Sequence, residues 1–349
     1  MRILASGASG FIGSHFVERA LADGHQVVGL YRAESAANCR LLAQLHSLGA
    51  KLRIGDLLDV QSLREALVGV DVVCHFAAAF NESAADDGIY QRANVTGTAN
   101  LAGVAAELGI RRFVHCSTAG IYGRRADGIL DEESPMQPWN AYERSKLDAE
   151  SALRRIARST RMEYVILRPA VVYGPRDARL RKMFSLVARG RFPLFGRGAG
   201  HRHFIHVADA VDAFMRACTE PAAADREMII AGPKAVPLRE LLYTLASVVD
   251  RPSPGPQLPL RPMLILAAVT EDVCRLLRVQ PPLHRRRMDF YLNDAEFDCR
   301  RARHILGWEP KVELRDGLAR TWRSYLEDVG SKPGWPQPAV SARAPSPHR

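Results

Sequence analysis

The chain has 349 residues, 47% of them hydrophobic and 25% charged, with a formal net charge of +10. This is the balance of an ordinary soluble globule, long enough for one large α/β domain or for a nucleotide-binding domain with a smaller companion. No stretch reaches the roughly 18 apolar residues that a membrane-spanning helix needs, and the six cysteines are scattered without a Cys-x-x-Cys pair, which fits reduced thiols in a cytoplasm rather than a disulfide framework.

The chain opens "MRILASGASG", a strand running into a glycine turn, which is read as leaving no room for a signal peptide. Short apolar runs follow at 2–7, 26–32, 51–56, 71–78, 112–118 and 163–169, near-continuous as strands buried on both faces are. Helical segments are predicted between them at 12–23, 60–68, 91–108 and 141–160. Strand and helix in alternation predict a Rossmann-type, doubly wound parallel sheet. The expected organisation is a dinucleotide-binding domain over 1–175, sharing core elements with later segments, and a smaller C-terminal substrate-binding lid over 176–330.

After residue 175 the composition turns basic. Between Arg176 and Phe204 stand Arg176, Arg179, Arg181, Lys182, Arg189, Arg191, Arg197 and Arg202 against a single acid, Asp177. Such an excess favours an anionic small-molecule partner, although a solvated basic surface is the plainer alternative. Nucleic acid is not expected, because no reader motif or interleaved stacking aromatics accompany the charge. Further helices are predicted near 207–219, 237–250, 262–278 and 312–328. The third contains seven uncharged residues, Met263–Val269, and reads as a buried lid helix; a membrane-surface helix is possible but not favoured. "HRHFIH" (201–206) suggests a metal site, but His201 and His203 would share one strand face and His206 the other, so no metal is expected. "HRRR" (284–287) reads as a solvated turn, and the Pro- and Ser-rich tail 331–349 as disordered.

Gly7, Gly10 and Gly13, with Phe11 and Ile12 between the last two, stand after a strand and at the head of a helix. Glycines there let bare backbone approach a pyrophosphate that the helix N-terminus favours. The end of the second strand usually selects the cofactor. An acid there would bind the ribose hydroxyls of NAD, whereas "VVGLYRAES" places Arg32 there, suited to the 2′-phosphate of NADP or to stacking on adenine. NADP is therefore favoured over NAD. Asp56 and Leu57 follow the third strand, where the adenine edge would lie, and Ala77 and Ala78 follow the fourth, beside the ribose.

"AYERSK" sets Tyr142 one helical turn before Lys146. Alone, such a pair is most often a surface contact. Here "GASGFIG", "GDL", "HFAA", "NVTGTAN", "HCSTAGIYG", "AYERSK", "LRPAVVYGP" and "FIHVADAVDA" occur in the order and spacing of the extended short-chain dehydrogenase/reductases, the NAD(P)-dependent epimerase/dehydratase family. The resemblance covers about residues 1–330. It implies that Tyr142 is the acid/base, that Lys146 lowers its pKa and reaches the nicotinamide ribose, and that Thr118, after Ser117, hydrogen-bonds the reacting oxygen. A free phenol has a pKa near 10, about 0.1% ionised at pH 7, so a neighbouring cation is needed to make it an effective base. Asn94 matches an asparagine that helps position the site, with a helix cap as the alternative. Pro169 and Val172 would line the nicotinamide pocket, or merely end a strand. Members often pair through the helices near 91–108 and 141–160, so a homodimer is expected.

Dehydratases of this family carry an acid pair straight after the Thr, and here Ala119 and Gly120 stand there, so elimination is disfavoured. The expected reaction interconverts a secondary hydroxyl and a ketone by hydride transfer. Arg202 matches an arginine that grips the diphosphate of nucleotide-linked sugars, although His203 replaces an acid often found beside it. A sterol-like or other lipophilic alcohol is the alternative substrate, suggested by the C-terminal stretch and the apolar helix. A non-catalytic nucleotide sensor is a second alternative.

Overall fold

A computed structural model describes residues 1–33, 39–80, 88–123, 125–276, 291–292 and 294–329. The "HRRR" run and the tail lie outside them.

Seven strands form one parallel sheet: β1 (Arg2–Ser6), β2 (Gln26–Tyr31), β3 (Lys51–Ile54), β4 (Val72–His75), β5 (Arg112–Cys116), β6 (Glu163–Pro169) and β7 (Arg226–Ile230). Their order is β3-β2-β1-β4-β5-β6-β7, and every neighbouring pair is parallel. The six strands expected are present, each with its ends within a few residues of the apolar run. The cause is visible in the centre of the sheet, where Ile3, Leu4, Val72, Val73 and Val114 have no solvent exposure. Strands covered on both sides need apolar residues at every position, not at alternate ones.

Helices α1 (Phe11–Ala22), α2 (Cys39–Ser47), α3 (Val60–Leu67), α4 (Gly97–Glu107), α5 (Ala141–Arg158) and α6 (Val207–Thr219) connect or cover the strands. Two cores result. On one side Phe16 and Val17 of α1 pack with Phe214 of α6 and with Ile3, Cys74 and Val114; on the other, Leu101 and Ala105 of α4 and Leu153 of α5 pack on Leu4, Val73 and Phe113. The strand order reverses between β1 and β4, and in open α/β sheets ligands bind at the carboxyl ends of the strands at such a switch.

By contacts the chain divides into two compact units. One comprises Met1–Val172, Arg202–Ala235 and Asp294–Val312 and contains the whole sheet; the other comprises Tyr173–His201, Val236–Asn293 and Glu313–Arg349. Helix α6 and strand β7 thus return to the sheet unit after an excursion. Asp209 of α6 secures the last return: its carboxylate accepts the Lys311 and Val312 N–H groups at 3.0 and 2.9 Å, and its carbonyl accepts the Trp308 indole N–H at 3.0 Å.

In the second unit part of the basic run folds as the helix Ala178–Ala188, with Met183, Phe184, Val187 and Ala188 buried. Its one acid, Asp177, is 1% exposed, caps the helix through the Arg179 N–H, and pairs with the Arg179 guanidinium at 2.8 Å. The helix Leu260–Leu276 is not buried all round as expected. Ala267 is fully covered beside Phe195, but Ile265 and Val269 are 66% and 53% exposed, because only one face of the helix meets that small cluster. No helix among the described residues is long and apolar enough to cross a membrane.

Candidate active site

The glycine turn joins β1 to α1. Gly7 has φ +71°, and a Cβ there would lie 2.8 Å from Ala77 N, while a Cβ on Gly13 would lie 2.2 Å from the Gly7 carbonyl oxygen. The turn is thus closed on two sides by backbone, and only glycine fits. Helix α1 begins at Gly10 with no side-chain cap and no acid in its first turn, leaving the positive end of its dipole without a competing side chain. Phe11 and Ile12 are half-buried against the core. Arg32 is exposed just beyond β2.

Asp56, also exposed, accepts the Leu58 N–H at 2.9 Å and shapes the turn after β3. Leu57 turns inward: it is 8% exposed, and a Cβ on Gly97 of α4 would meet its Cβ at 2.8 Å. After β4, Ala77 N–H donates to Ser6 Oγ at 3.3 Å and Ala78 is exposed.

Asn94 lies in a π-helical stretch, Gln91–Thr96, that leads into α4. Its side chain, 1% exposed, caps no helix. Its Oδ1 accepts the Ala79 N–H at 2.7 Å, and its Nδ2 donates to Ala79 O at 3.2 Å and to Ser145 Oγ at 2.9 Å. Ser145 in turn donates to Tyr142 O at 2.7 Å. One amide therefore ties the loop after β4 to the first turn of α5.

Two contacts tie the helix of the candidate pair to the segment after β5. Helix α5 is capped by Asn140, whose Oδ1 accepts the Glu143 N–H at 2.9 Å. The Glu143 side chain approaches Gly120, where a Cβ would sit 3.2 Å from it. Two turns further along α5, Glu150 accepts the Ser117 hydroxyl at 2.5 Å. Thr118 lies between these anchor points on its own segment; on the helix Lys146 lies between them and Tyr142 immediately precedes the first. Thr118 Oγ1 accepts the Gly120 N–H at 3.1 Å, which leaves its hydroxyl proton to donate elsewhere. The half-buried Tyr142 ring stands edge-on to Phe80 and Tyr90, with centroids 4.8 and 6.2 Å away. Lys146 is 2% exposed, and burial lowers its pKa against the opposing pull of Cys116 and Glu150.

Beneath the pair lies an ionic cluster. The Arg168 guanidinium donates to both Glu150 oxygens, to Tyr122 Oη at 2.7 Å and to Glu227 at 3.1 Å. Pro169 ends β6 and is buried, as is Val172 at 6% exposure. Arg202 lies on the strand His201–His206 at 4% exposure, where burial, opposed by the Asp294 charge, lowers its pKa to about 10. His203 donates from Nε2 to Gly232 O at 3.0 Å and accepts the Phe297 N–H at 3.1 Å on Nδ1, and His206 caps α6. No group of three metal-binding side chains occurs among the described residues.

Sequence reasoning missed Ser145, Glu150 and the histidines His75 and His115. Glu150 was open to detection, since it continues the four-residue spacing of Tyr142 and Lys146 along one helix face. The histidines gave no signal, because their positions depend on strand pairing.

The sequence pattern of the NAD dependent epimerase/dehydratase family matches residues 3–232. The chain belongs to that family. As a member it is an NAD(P)-dependent enzyme of the extended short-chain dehydrogenase/reductase type. Among its relatives, the UDP-glucose 4-epimerase of Mycolicibacterium smegmatis is 31% identical over 337 residues, 92% of this chain and 97% of that one. The 2-alkyl-3-oxoalkanoate reductase of Stenotrophomonas maltophilia is 29% identical over 332 residues, 92% and 98% of the two chains. The solved structure of MoeE5 in complex with UDP-glucose and NAD superposes with a TM-score of 0.75 at 25% identity, covering 95% of this family member and 100% of MoeE5.

Proposed function

We propose that this family member interconverts a secondary hydroxyl and a ketone on a nucleotide-linked sugar, most simply as an epimerase. The observation that supports the reading is that Ser117 and Gly120, on either side of Thr118, meet Glu150 and Glu143 of the helix that carries Tyr142 and Lys146. A dinucleotide fits the residues at the switch point, since the turn at Gly7 and Gly13 admits no side chain and the N-terminus of α1 has no side-chain cap. When bound, the nicotinamide cofactor accepts and returns the hydride.

The chain's own residues manage the proton. Thr118 donates to the substrate oxygen and holds it, while Tyr142, ionised with the help of the Lys146 charge, removes the hydroxyl proton and later gives it back. Ala119 and Gly120 supply no acid pair, which disfavours elimination even though dTDP-D-glucose 4,6-dehydratases are among the relatives. The buried Arg202 is the group that would pair with a diphosphate.

Arg32, with no acid at the end of β2, favours NADP, whereas the MoeE5 complex contains NAD. Binding of both nucleotides to Arg32→Ala decides this: a loss confined to NADP supports the phosphate role, and equal losses indicate stacking. A homodimer through α4 and α5, in the cytoplasm, completes the proposal; a single monomer peak at micromolar concentration on size exclusion would argue against the dimer.

A lipophilic alcohol or ketone is the second reading, favoured by the oxoalkanoate reductase relative and by the exposed apolar residues of Leu260–Leu276. Incubating purified protein with UDP-glucose, and separately with a long-chain 3-oxoacid and reduced cofactor, separates the two. Tyr142→Phe should keep cofactor binding and lose turnover by about 10²–10⁴-fold. Retained function without turnover would instead mark a nucleotide sensor.

A further inference from the structure

Ser6 ends β1, one residue before the glycine turn, and His75 ends β4 directly beside it. Their side chains meet, with His75 Nδ1 2.6 Å from Ser6 Oγ. On the far side of the ring, Nε2 lies 2.9 Å from Oγ1 of Thr98, in the first turn of α4. All three residues are buried, and the imidazole is enclosed further by His115 and Phe113, with ring centroids 5.3 and 5.8 Å away.

The protons of this cluster can run in one direction only. Thr98 donates its single hydroxyl proton to Asn94 O at 2.5 Å, and a carbonyl can only accept. Thr98 Oγ1 must therefore accept from the ring, so Nε2 carries the hydrogen. Burial, with the Lys146 charge adding to it, keeps the imidazole neutral, so Nδ1 is bare and accepts the Ser6 hydroxyl. Ser6 Oγ in turn accepts the N–H of Ala77, the backbone that closes the turn at Gly7. Beyond Thr98 the line continues through Asn94, whose side chain donates to Ser145, and through Ser145, which donates to Tyr142 O.

We propose that His75 is a positioning residue: fixed as its Nε2–H tautomer, it joins the glycine turn to the helical turns that hold Tyr142. The inference rests on the reading of Tyr142 as the acid/base. His75 itself moves no proton in the reaction. Because each donor and acceptor around the ring is already committed within the protein, a displacement of the turn by a bound dinucleotide reaches the Tyr142 turn without being absorbed by water.

The test uses the full chain, saturated with NAD or, if that does not bind, with NADP, and labelled with ¹⁵N in the histidine rings and ¹³C at tyrosine Cζ. His75→Gln and Tyr142→Phe assign the two signals among 11 histidines and 9 tyrosines. The proposal expects His75 to show a protonated Nε2 and a bare Nδ1 at pH 7. A Tyr142 ring that drifts from the Lys146 charge is harder to ionise, so its titration midpoint should rise by about half a pH unit or more in Ser6→Ala and in Thr98→Val. The two shifts should be non-additive, and Thr98→Ser, which keeps the hydroxyl, should restore the wild-type midpoint. A histidine that serves only the fold would lower the urea midpoints of these variants and leave Tyr142 unmoved; that outcome overturns the proposal, as do an Nδ1–H ring or additive shifts. If Thr98→Val does not fold, Ser6→Ala decides alone. A wild-type Tyr142 midpoint near 10 would instead sink the acid/base reading, while the ring signal and the Ser6→Ala shift still decide the role of His75.

Discussion

Arg168 and Glu150 meet with no solvent exposure on either side chain, the guanidinium donating to the two carboxylate oxygens at 3.0 and 2.7 Å. Such a pair stabilises little relative to an apolar replacement, but removing one partner strands a buried charge. Glu150→Ala is expected to lower stability by about 3–5 kcal/mol, and the double variant Glu150→Leu with Arg168→Met to recover much of that loss. Urea midpoints for the set and for Arg168→Met alone check this; a double-variant loss equal to the sum of the single losses would show that the charges are not coupled.

Gly13 and Gly103 offer a contrast between two helical glycines. A Cβ at Gly13 would meet Gly7 O at 2.2 Å and Gly7 C at 2.9 Å, both backbone, whereas nothing lies within 4 Å of one at Gly103. Gly13→Ala must therefore push the turn open and should weaken dinucleotide binding at least tenfold, as read by calorimetric titration, an overpacking effect of roughly 1–3 kcal/mol. Gly103→Ala should leave binding alone and stabilise α4 by up to about 1 kcal/mol through helix propensity. Similar binding by the two variants would remove the steric account of the turn.

The contrast between what the sequence disclosed and what it concealed has a physical cause. Strands β1, β2, β4, β5 and β6 were legible because burial on both faces forces continuous apolar runs, whereas β3, at the sheet edge, is mostly exposed. Strand β7 was not, since it opens with Arg226 and Glu227, and Glu227 is consumed by Arg154 and Arg168 at 2.6 and 3.1 Å. Helix α2 escaped notice because only Leu42 and Leu45 of its nine residues are buried. The helix Ala178–Ala188 was hidden inside a basic run, with Arg179 and Lys182 exposed and Arg181 lying over the Tyr325 ring. Thr118, Tyr142 and Lys146 were readable through spacing and resemblance, but the clamp made by Asn94 and Ser145 joins residues 51 positions apart, a relationship that only the packing of α4 on α5 creates.

His75 gives the fold an acid sensitivity. Burial, with the Lys146 charge adding to it, pushes its pKa from 6.5 to about 3. Between those values the unfolded chain binds a proton that the native state refuses, so stability rises with pH across the window and is lost as pH falls from 6.5 towards 3. One such group contributes a slope of at most about 1.4 kcal/mol per pH unit. His75→Gln, which can still bond Ser6 and Thr98 without titrating, should unfold at lower urea at pH 7 yet lose less stability than wild type on going to pH 5. Parallel losses in the two proteins would assign the acid sensitivity to other groups.

Asn94 holds the loop that carries Phe80 against the helix that carries Tyr142. Asn94→Ala would leave the Ala79 N–H, the Ala79 carbonyl and the Ser145 hydroxyl each short of a partner, and a buried group left unsatisfied costs about 1–3 kcal/mol. Water can repair part of this, so a total nearer the lower end is expected. Since no bond from Asn94 reaches the glycine turn directly, the cofactor Kd should change less than the turnover number, which depends on how the Tyr142 ring is held against Phe80. The informative comparison is a double-mutant cycle with Ser145→Ala. If the two side chains act as one clamp, the losses in turnover should be strongly non-additive, with a coupling of about 0.5–3 kcal/mol. Additive losses would mean that Asn94 only orders the loop after β4 and that the first turn of α5 holds Tyr142 unaided.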